Sequence, residues 1–279
     1  IGIVGAQVAN WLIARPVAPD ATIAEILQSW NGQHAWRWMF GVTAIPSLLF
    51  FVCMFLVPES PRWLARSGKP DRARKILARI GGPEYADAAL REIKQTLASD
   101  DGKVKLRELL DRRLRPILLL GIVLAVFQQW CGINVIFYYA QNIFHEAGYG
   151  VSEILFNIAI TGAVNLVCTL AAIYAVDRLG RRVLMLIGAA GLGLLFSLIG
   201  LSFASNLKGL HVLVLVIASI GCYAFTLAPV TWVVLAEIFP NRIRGAAMSV
   251  AVFALWLACF VLTYTFPLLS GNLGTARTF

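Results

Sequence analysis

The sequence has 279 residues, 59% of them hydrophobic and only 14% charged, with a mean hydropathy of +0.74. Soluble domains carry about 25% charged residues, so the composition excludes an ordinary soluble globule and predicts an integral membrane protein. The net charge of +9 does not mark a nucleic-acid binder, because 15 of the 24 Lys and Arg lie between Arg62 and Arg115, the clustering expected of one cytoplasmic segment.

A membrane span needs roughly 20 apolar residues. Residues 1–14 are too few and read as the second half of a span, so a chain that opens at Ile1 inside an apolar run is expected to be a piece of a longer protein. A polar interval follows from Arg15 to Ala35, with Pro16, Pro19 and Gly32 and a short helix-like piece at 21–30. Full spans are predicted at about 36–57, 115–140, 152–176, 183–204, 209–236 and 243–269. Between the first two, Pro58 to Arg115 carries two helical patterns near 70–80 and 86–99, separated by Gly81, Gly82 and Pro83. Cys53, Cys131, Cys168, Cys222 and Cys259 all fall in apolar runs, far apart. They read as buried thiols, with neither a disulfide framework nor metal-ligand spacing.

Orientation follows from the basic residues. If Pro58–Arg115 is cytoplasmic, then 177–182 (Arg178, Arg181, Arg182) and 241–244 (Arg242, Arg244) share that side, which holds 20 of the 24 Lys and Arg. Arg15, Arg37, Lys208 and Arg277 are left for the other side. The alternation holds over every span and sets the topology. The turn Asp177-Arg178-Leu179-Gly180-Arg181-Arg182 can pin neighbouring helix ends through charge-assisted hydrogen bonds. Glu237 with Arg244, and Glu59 with Arg62, supply two further acid–base sets. The alternative is that all three only fix topology.

The densest polar feature inside a span is QQWCGINVIFYY at 128–139. Uncharged hydrogen-bonding groups in hydrocarbon are costly unless they face a bundle interior or a water-filled cavity. Amides offer both donors and acceptors, which suits a neutral ligand bearing many hydroxyls, and so a sugar pathway. Asn134 lies about 120° around an ideal helix from Gln128, so Gly132 is expected to break the helix and let Gln128, Gln129 and Asn134 converge. Thr161, Asn165 and Thr169 form one polar stripe at i, i+4 and i+8. Pro229 is expected to kink the span that carries Trp232. His34, His145 and His211 lie at loops or span ends, and no HExxH or paired intramembrane carboxylates occur. An intramembrane enzyme is therefore not expected.

In order along the chain, WRWM (36–39), PESPRWL (58–64), QQWCGIN with FYY (128–139), DRLGRR (177–182) and APVTWVVLAEIFPNRIRG (228–245) resemble the motifs of the sugar porters of the major facilitator superfamily. The resemblance covers essentially the whole chain and implies an all-α membrane protein with a truncated major facilitator fold of two six-helix bundles that rock about a midplane site. By it, 1–57 is the end of the N-terminal bundle (half of span five and span six), 58–115 a cytoplasmic helical linker domain, and 116–279 the C-terminal bundle, spans seven to eleven. The missing parts would be spans one to four, the start of five, and twelve.

The resemblance further implies sugar contacts at Gln128, Gln129, Asn134, Asn165 and Trp232. It implies an extracellular gate at Tyr138 and Tyr139, with Pro229 as a hinge. Cytoplasmic gating charges are implied at Glu59, Arg62, Asp177, Arg178, Arg181, Glu237 and Arg244. Beside Trp256 the chain departs from the pattern: Leu255 stands where many members carry Gln or Asn, and Cys259 where some carry Asn, so selectivity is expected to shift. The implied activity is transport of a pentose or hexose by alternating access in the bacterial inner membrane. The full-length protein would act as a monomer embedded in lipid, without nucleic acid, metal or cofactor. Proton-coupled symport is preferred over a facilitative uniporter or a transporter-like sugar receptor. The coupling acid would lie in the missing first bundle.

Overall fold

A computed structural model describes residues 2–18, 21–98, 109, 111–207, 209–240 and 243–278. Among them every regular element is helical: α1 (Gly2–Ile13), α2 (Ile23–Gln28), a π-helical turn (Asn31–Ala35), α3 (Trp36–Val42), α4 (Ala44–Met54), α5 (Pro61–Arg66), α6 (Pro70–Ala98), α7 (Arg115–Trp130), α8 (Ile133–Tyr138), α9 (Ala140–Glu146), α10 (Val151–Leu179), α11 (Arg181–Ala204), α12 (Leu210–Phe225), α13 (Leu227–Ile238), α14 (Arg244–Leu273) and α15 (Thr275–Thr278). Six stretches are long and apolar enough to cross a membrane: Asn31–Met54, Arg115–Tyr138, Ser152–Leu179, Arg181–Ala204, Leu210–Ile238 and Arg244–Leu273. They coincide with the six predicted spans, and α1 is the expected shorter apolar helix. The topology charges Lys208 and Arg242, and the end of the second linker helix at Ser99, lie outside the described residues.

Three boundaries differ from expectation, each for a local reason. The first full span begins at Asn31 instead of 36, because the π-helical turn runs directly into α3. The predicted turn 177–182 shrinks to Gly180: Asp177 and Arg178 close α10, while Arg181 and Arg182 open α11. In the span that carries Trp232 the break falls at Thr226 (φ −117°, ψ −84°), three residues before Pro229. Pro229 has no N–H to give and its ring crowds the carbonyl four residues back. The helix therefore stops at Phe225, and Pro229 sits in the first turn of α13, where a missing N–H costs nothing.

The chain forms two compact units, one of Ile1–Val42 with Leu106–Phe279 and one of Thr43–Lys105. In the first, α7 packs along α14, α10 along α12 and α1, and α11 along α12 and α13. Its main core joins Ile133, Ile136, Ile143 and Phe144 to Ile154, Ile199, Val212, Val216 and Ile220. A smaller cluster, Val176, Leu184 and Val230, lies where α10, α11 and α13 meet. The loop after α1 is tied down as well. Asn31 accepts from the Arg15 N–H and donates to its carbonyl, both at 2.8 Å, and the Val17 N–H donates to Ser152 Oγ at 3.0 Å. The five cysteines are free, but only Cys259 is buried, and Cys53 is exposed on α4. The buried-thiol expectation fails for Cys53 because α4 turns none of its residues inward. Apolar outward faces are the rule where the solvent is lipid.

In the second unit α5 packs on α6 through Leu64, Ala73, Leu77, Ala86 and Leu90. The predicted separation of two linker helices appears as a non-helical residue inside α6, Gly82, at φ 84°, ψ 174°. Across it Arg74 grips Asp87 in a fork, Nε to Oδ1 at 2.5 Å and Nη2 to Oδ2 at 2.8 Å. The hydrogen bond from Arg74 holds the Asp87 carboxyl below the usual range. Those Gly82 angles are open essentially to glycine alone. Gly82→Ala is expected to cost about 1–3 kcal/mol, seen as faster limited proteolysis around residues 80–86. Unchanged cleavage would show that the junction adopts other angles.

Candidate functional site

The polar interior is built around the break between α7 and α8. Gly132 takes φ 86°, a left-handed conformation that suits glycine, and the helix restarts at Ile133. Gln128 and Gln129 end α7 and are 4% and 5% exposed. Being adjacent in a helix they leave it in different directions. Gln128 Nε2 donates to the Tyr223 hydroxyl at 2.6 Å, and its Oε1 is buried with no hydrogen-bond partner. Gln129 Oε1 accepts from Asn134 Nδ2 across the break. The same Asn134 nitrogen approaches Cys259 Sγ on α14 at 3.4 Å. The break therefore brings Asn134 to Gln129, as expected of a glycine hinge, while Gln128 engages α12 instead of joining them.

Beyond α8, the Tyr139 hydroxyl donates to the Thr263 carbonyl at 3.0 Å. Its ring meets Phe266 with centroids 5.0 Å apart. Tyr138, its neighbour, is exposed. Two adjacent tyrosines thus differ: one ties the end of α8 to α14, and the other is free of the core. On α14, Leu255 is fully buried while Trp256 is exposed.

Asn165 is half-buried on α10. Its stripe neighbours are less available than the spacing implied, since Thr161 Oγ1 donates to the Ile158 carbonyl and Thr169 Oγ1 to that of Asn165, both at 2.7 Å. Hydroxyls that bond back to their own helix spend their donor locally. Trp232, on α13, is 41% exposed. Among the described residues no hydrogen bond or ring contact joins Asn165 or Trp232 to the α7–α8 amides. Both helices nonetheless pack together in the same unit.

At the opposite end of the bundle the charges converge on Arg181. Its Nη2 lies 3.0 Å from Glu237 Oε1 and 3.2 Å from Asp177 Oδ1, and Nη1 donates to the Val176 carbonyl at 3.2 Å. One guanidinium so joins the ends of α10, α11 and α13. Arg178, one turn earlier, belongs to the last turn of α10. Arg244 opens α14 and reaches the Phe239 carbonyl with Nε at 3.4 Å. Glu59 and Arg62 belong to the other compact unit, at the start of α5. Asp177 and Glu237 both sit at the negative ends of their helices, against the helix dipole. Their placement favours the tie through Arg181 over any gain to the helices themselves.

A cavity of about 810 Å³ lies between α7, α11 and α13, with Leu124, Phe127, Leu192 and Phe196 in its wall. Gln128, Arg181 and Arg182 also line it, and the rest of the wall is apolar. Among the described residues no group of three or more His, Cys, Asp or Glu could hold a metal ion. Sequence reasoning passed over Tyr223, Thr263 and the acceptor role of Cys259. The signal for Tyr223 was present: it is the sole tyrosine in Leu210–Phe225, and a phenol in an apolar span needs a partner.

A family model described as sugar (and other) transporter matches residues 1–279. The chain is 39% identical over 263 residues to a D-xylose-proton symporter of Escherichia coli (strain K12), covering 94% of this chain and 51% of that protein. It is 37% identical over 251 residues to an arabinose-proton symporter of Bacillus subtilis (strain 168), covering 90% and 54%. It superimposes on a partially occluded inward-open xylose transporter from E. coli with a TM-score of 0.80 at 34% identity, covering 99% of this chain and 55% of that one. A proton:xylose symporter of the major facilitator superfamily, bound to 6-bromo-6-deoxy-D-glucose, gives a TM-score of 0.76 at 35% identity, covering 99% and 57%. The chain thus spans about half the length of the curated relatives it matches.

Proposed function

From the premise that this chain belongs to the sugar transporter family and carries part of the major facilitator fold, we propose that its complete gene product moves a monosaccharide across a bacterial inner membrane by alternating access, coupled to protons. The observation that carries this reading is the buried amide set at the α7–α8 break, in which Gln128 keeps an unpaired carbonyl oxygen. A buried acceptor without a partner is costly, and a sugar hydroxyl is a ligand that would satisfy it. Gln128, Gln129 and Asn134 are the first contacts in this proposal. Asn165 supplies a further amide from α10, and Trp232 offers an aromatic face to sugar C–H groups. Leu255, beside Trp256, stands where many members carry a polar contact and shifts the preference among sugars.

Tyr138, Tyr139 and Pro229 would act at the outer gate and the hinge. The inner gate would be the Asp177–Arg181–Glu237 tie with Arg178 and Arg244, together with Glu59 and Arg62 at the start of the linker. Residues 58–115 would connect the two bundles on the cytoplasmic side, with 1–57 closing the first and 116–279 forming the second. The product would work as a carrier without catalytic chemistry, as a monomer in lipid, with the proton as its coupling ion and no resident cofactor. Relatives named as xylose- and arabinose-proton symporters support the proton coupling.

The test is uptake of labelled D-xylose and D-glucose by proteoliposomes holding the complete gene product, with and without an imposed inward proton gradient. Accumulation above equilibrium that collapses with a protonophore is expected. Gradient-independent equilibration would leave a facilitative uniporter, and binding without uptake a sugar receptor.

A further inference from the structure

The bond between Gln128 and Tyr223 assigns a role to a residue that the motif pattern does not mark. Tyr223 lies one turn before the Thr226 break, in the last turn of α12, and its ring packs against the main core. Its hydroxyl meets the Gln128 amide at 2.6 Å. A phenol can accept one hydrogen bond and still donate another. As accepted from Gln128 Nε2, the bond leaves the Tyr223 O–H proton to give, while Gln128 Oε1 is left to receive. Turning the amide over exchanges the roles, with the hydroxyl donating and Nε2 left open. Either way the pair keeps at least one donor and one acceptor unspent, side by side.

We infer that Tyr223 is a specificity-determining residue: with Gln128 it forms a paired donor and acceptor that reads two neighbouring hydroxyls of the sugar. This rests on the transport reading above and deepens it. A lone amide can swing to suit many hydroxyl arrangements. An amide held by a phenol presents its free end in one direction, and a sugar whose hydroxyls do not match leaves a buried group unpaired. Sites built to bond a hydroxyl reject analogues lacking it more strongly than apolar pockets reject an extra methylene. The Tyr223 ring is fixed by its core packing, so little further ordering is needed on binding.

The experiment is equilibrium binding of D-xylose, D-glucose and their mono-deoxy analogues to the detergent-purified complete gene product, as wild type and Tyr223→Phe. Wild type should bind at least one deoxy analogue about tenfold more weakly than its parent sugar. Tyr223→Phe should bind the parent sugar about as weakly as wild type binds that analogue, and should no longer distinguish the two. If the single change unfolds the protein, the paired variant Gln128→Leu with Tyr223→Phe, which leaves neither partner orphaned, should lose the discrimination that Gln128→Leu alone still keeps through the phenol; equal discrimination by the two would overturn the inference. Equal weakening for every sugar, or no change for any, would overturn the inference while leaving sugar transport standing. A wild type that binds neither sugar would overturn both.

Discussion

Gln129→Ala in the complete gene product is expected to raise the apparent Kd for the transported sugar about 10- to 100-fold, with helical content unchanged. Two losses combine in that figure. Gln129 is a proposed contact, and its carbonyl oxygen also anchors Asn134 across the Gly132 break. Without it the Asn134 amide keeps only its approach to the Cys259 thiol, a weak acceptor. The Asn134 side chain is then free to swing out of position, while Ile133 and Ile136 keep α8 itself in the core. Asn134→Ala should therefore cost much of the same affinity, and the double variant should weaken binding by less than the product of the two single effects, as groups sharing one bond do. Calorimetric titration in detergent measures all three. Binding that stays at the wild-type level in Gln129→Ala would remove the α7–α8 amides from the site.

Arg181→Ala is expected to act on the other end of the bundle and through populations instead of contacts. One guanidinium spans Asp177, Glu237 and the Val176 carbonyl. Its removal leaves two carboxylates facing each other at the negative ends of α10 and α13. The inward-closed state should lose ground by about threefold to tenfold, a range kept modest because the pairs are partly exposed. The transport rate should fall while sugar Kd stays within about threefold. Arg181→Lys should recover only part of the loss, since one ammonium can meet the two carboxylates but lacks the second nitrogen that holds the Val176 carbonyl. Accessibility of a reporter cysteine placed on each side of the membrane reads the populations directly. A collapse of sugar affinity in folded Arg181→Ala would place Arg181 in the binding site and end its role as a latch.

Much of this was legible in the sequence because lipid imposes simple rules. Every buried backbone group in a span must be bonded within its helix, so spans show as long apolar runs, and all six were placed within a few residues. Gly82 could be read as a break because Gly81 and Pro83 flank it, and Gly132 because the amides on either side of it could converge only if the helix broke there. The boundaries that were misplaced depend on longer reach. The Thr226 break is set by Pro229 three residues downstream. The turn before Arg181 is one residue, Gly180, which takes φ 81°, ψ 153°, and Arg181 then meets acids on two other helices.

The residues alone determined the membrane class, the positions of the spans and the amide-rich stretch at 128–139. These follow from composition and from neighbours along one helix, where spacing translates directly into a face. Only the tertiary structure decided that Gln128 pairs with Tyr223 and Gln129 with Asn134, that Cys259 faces that amide, and that Arg181 joins Asp177 to Glu237. Each of these joins positions on different helices or across a break. Two adjacent side chains on a helix diverge by about 100°, so which of them meets a partner depends on how the helices pack, and no local pattern encodes that.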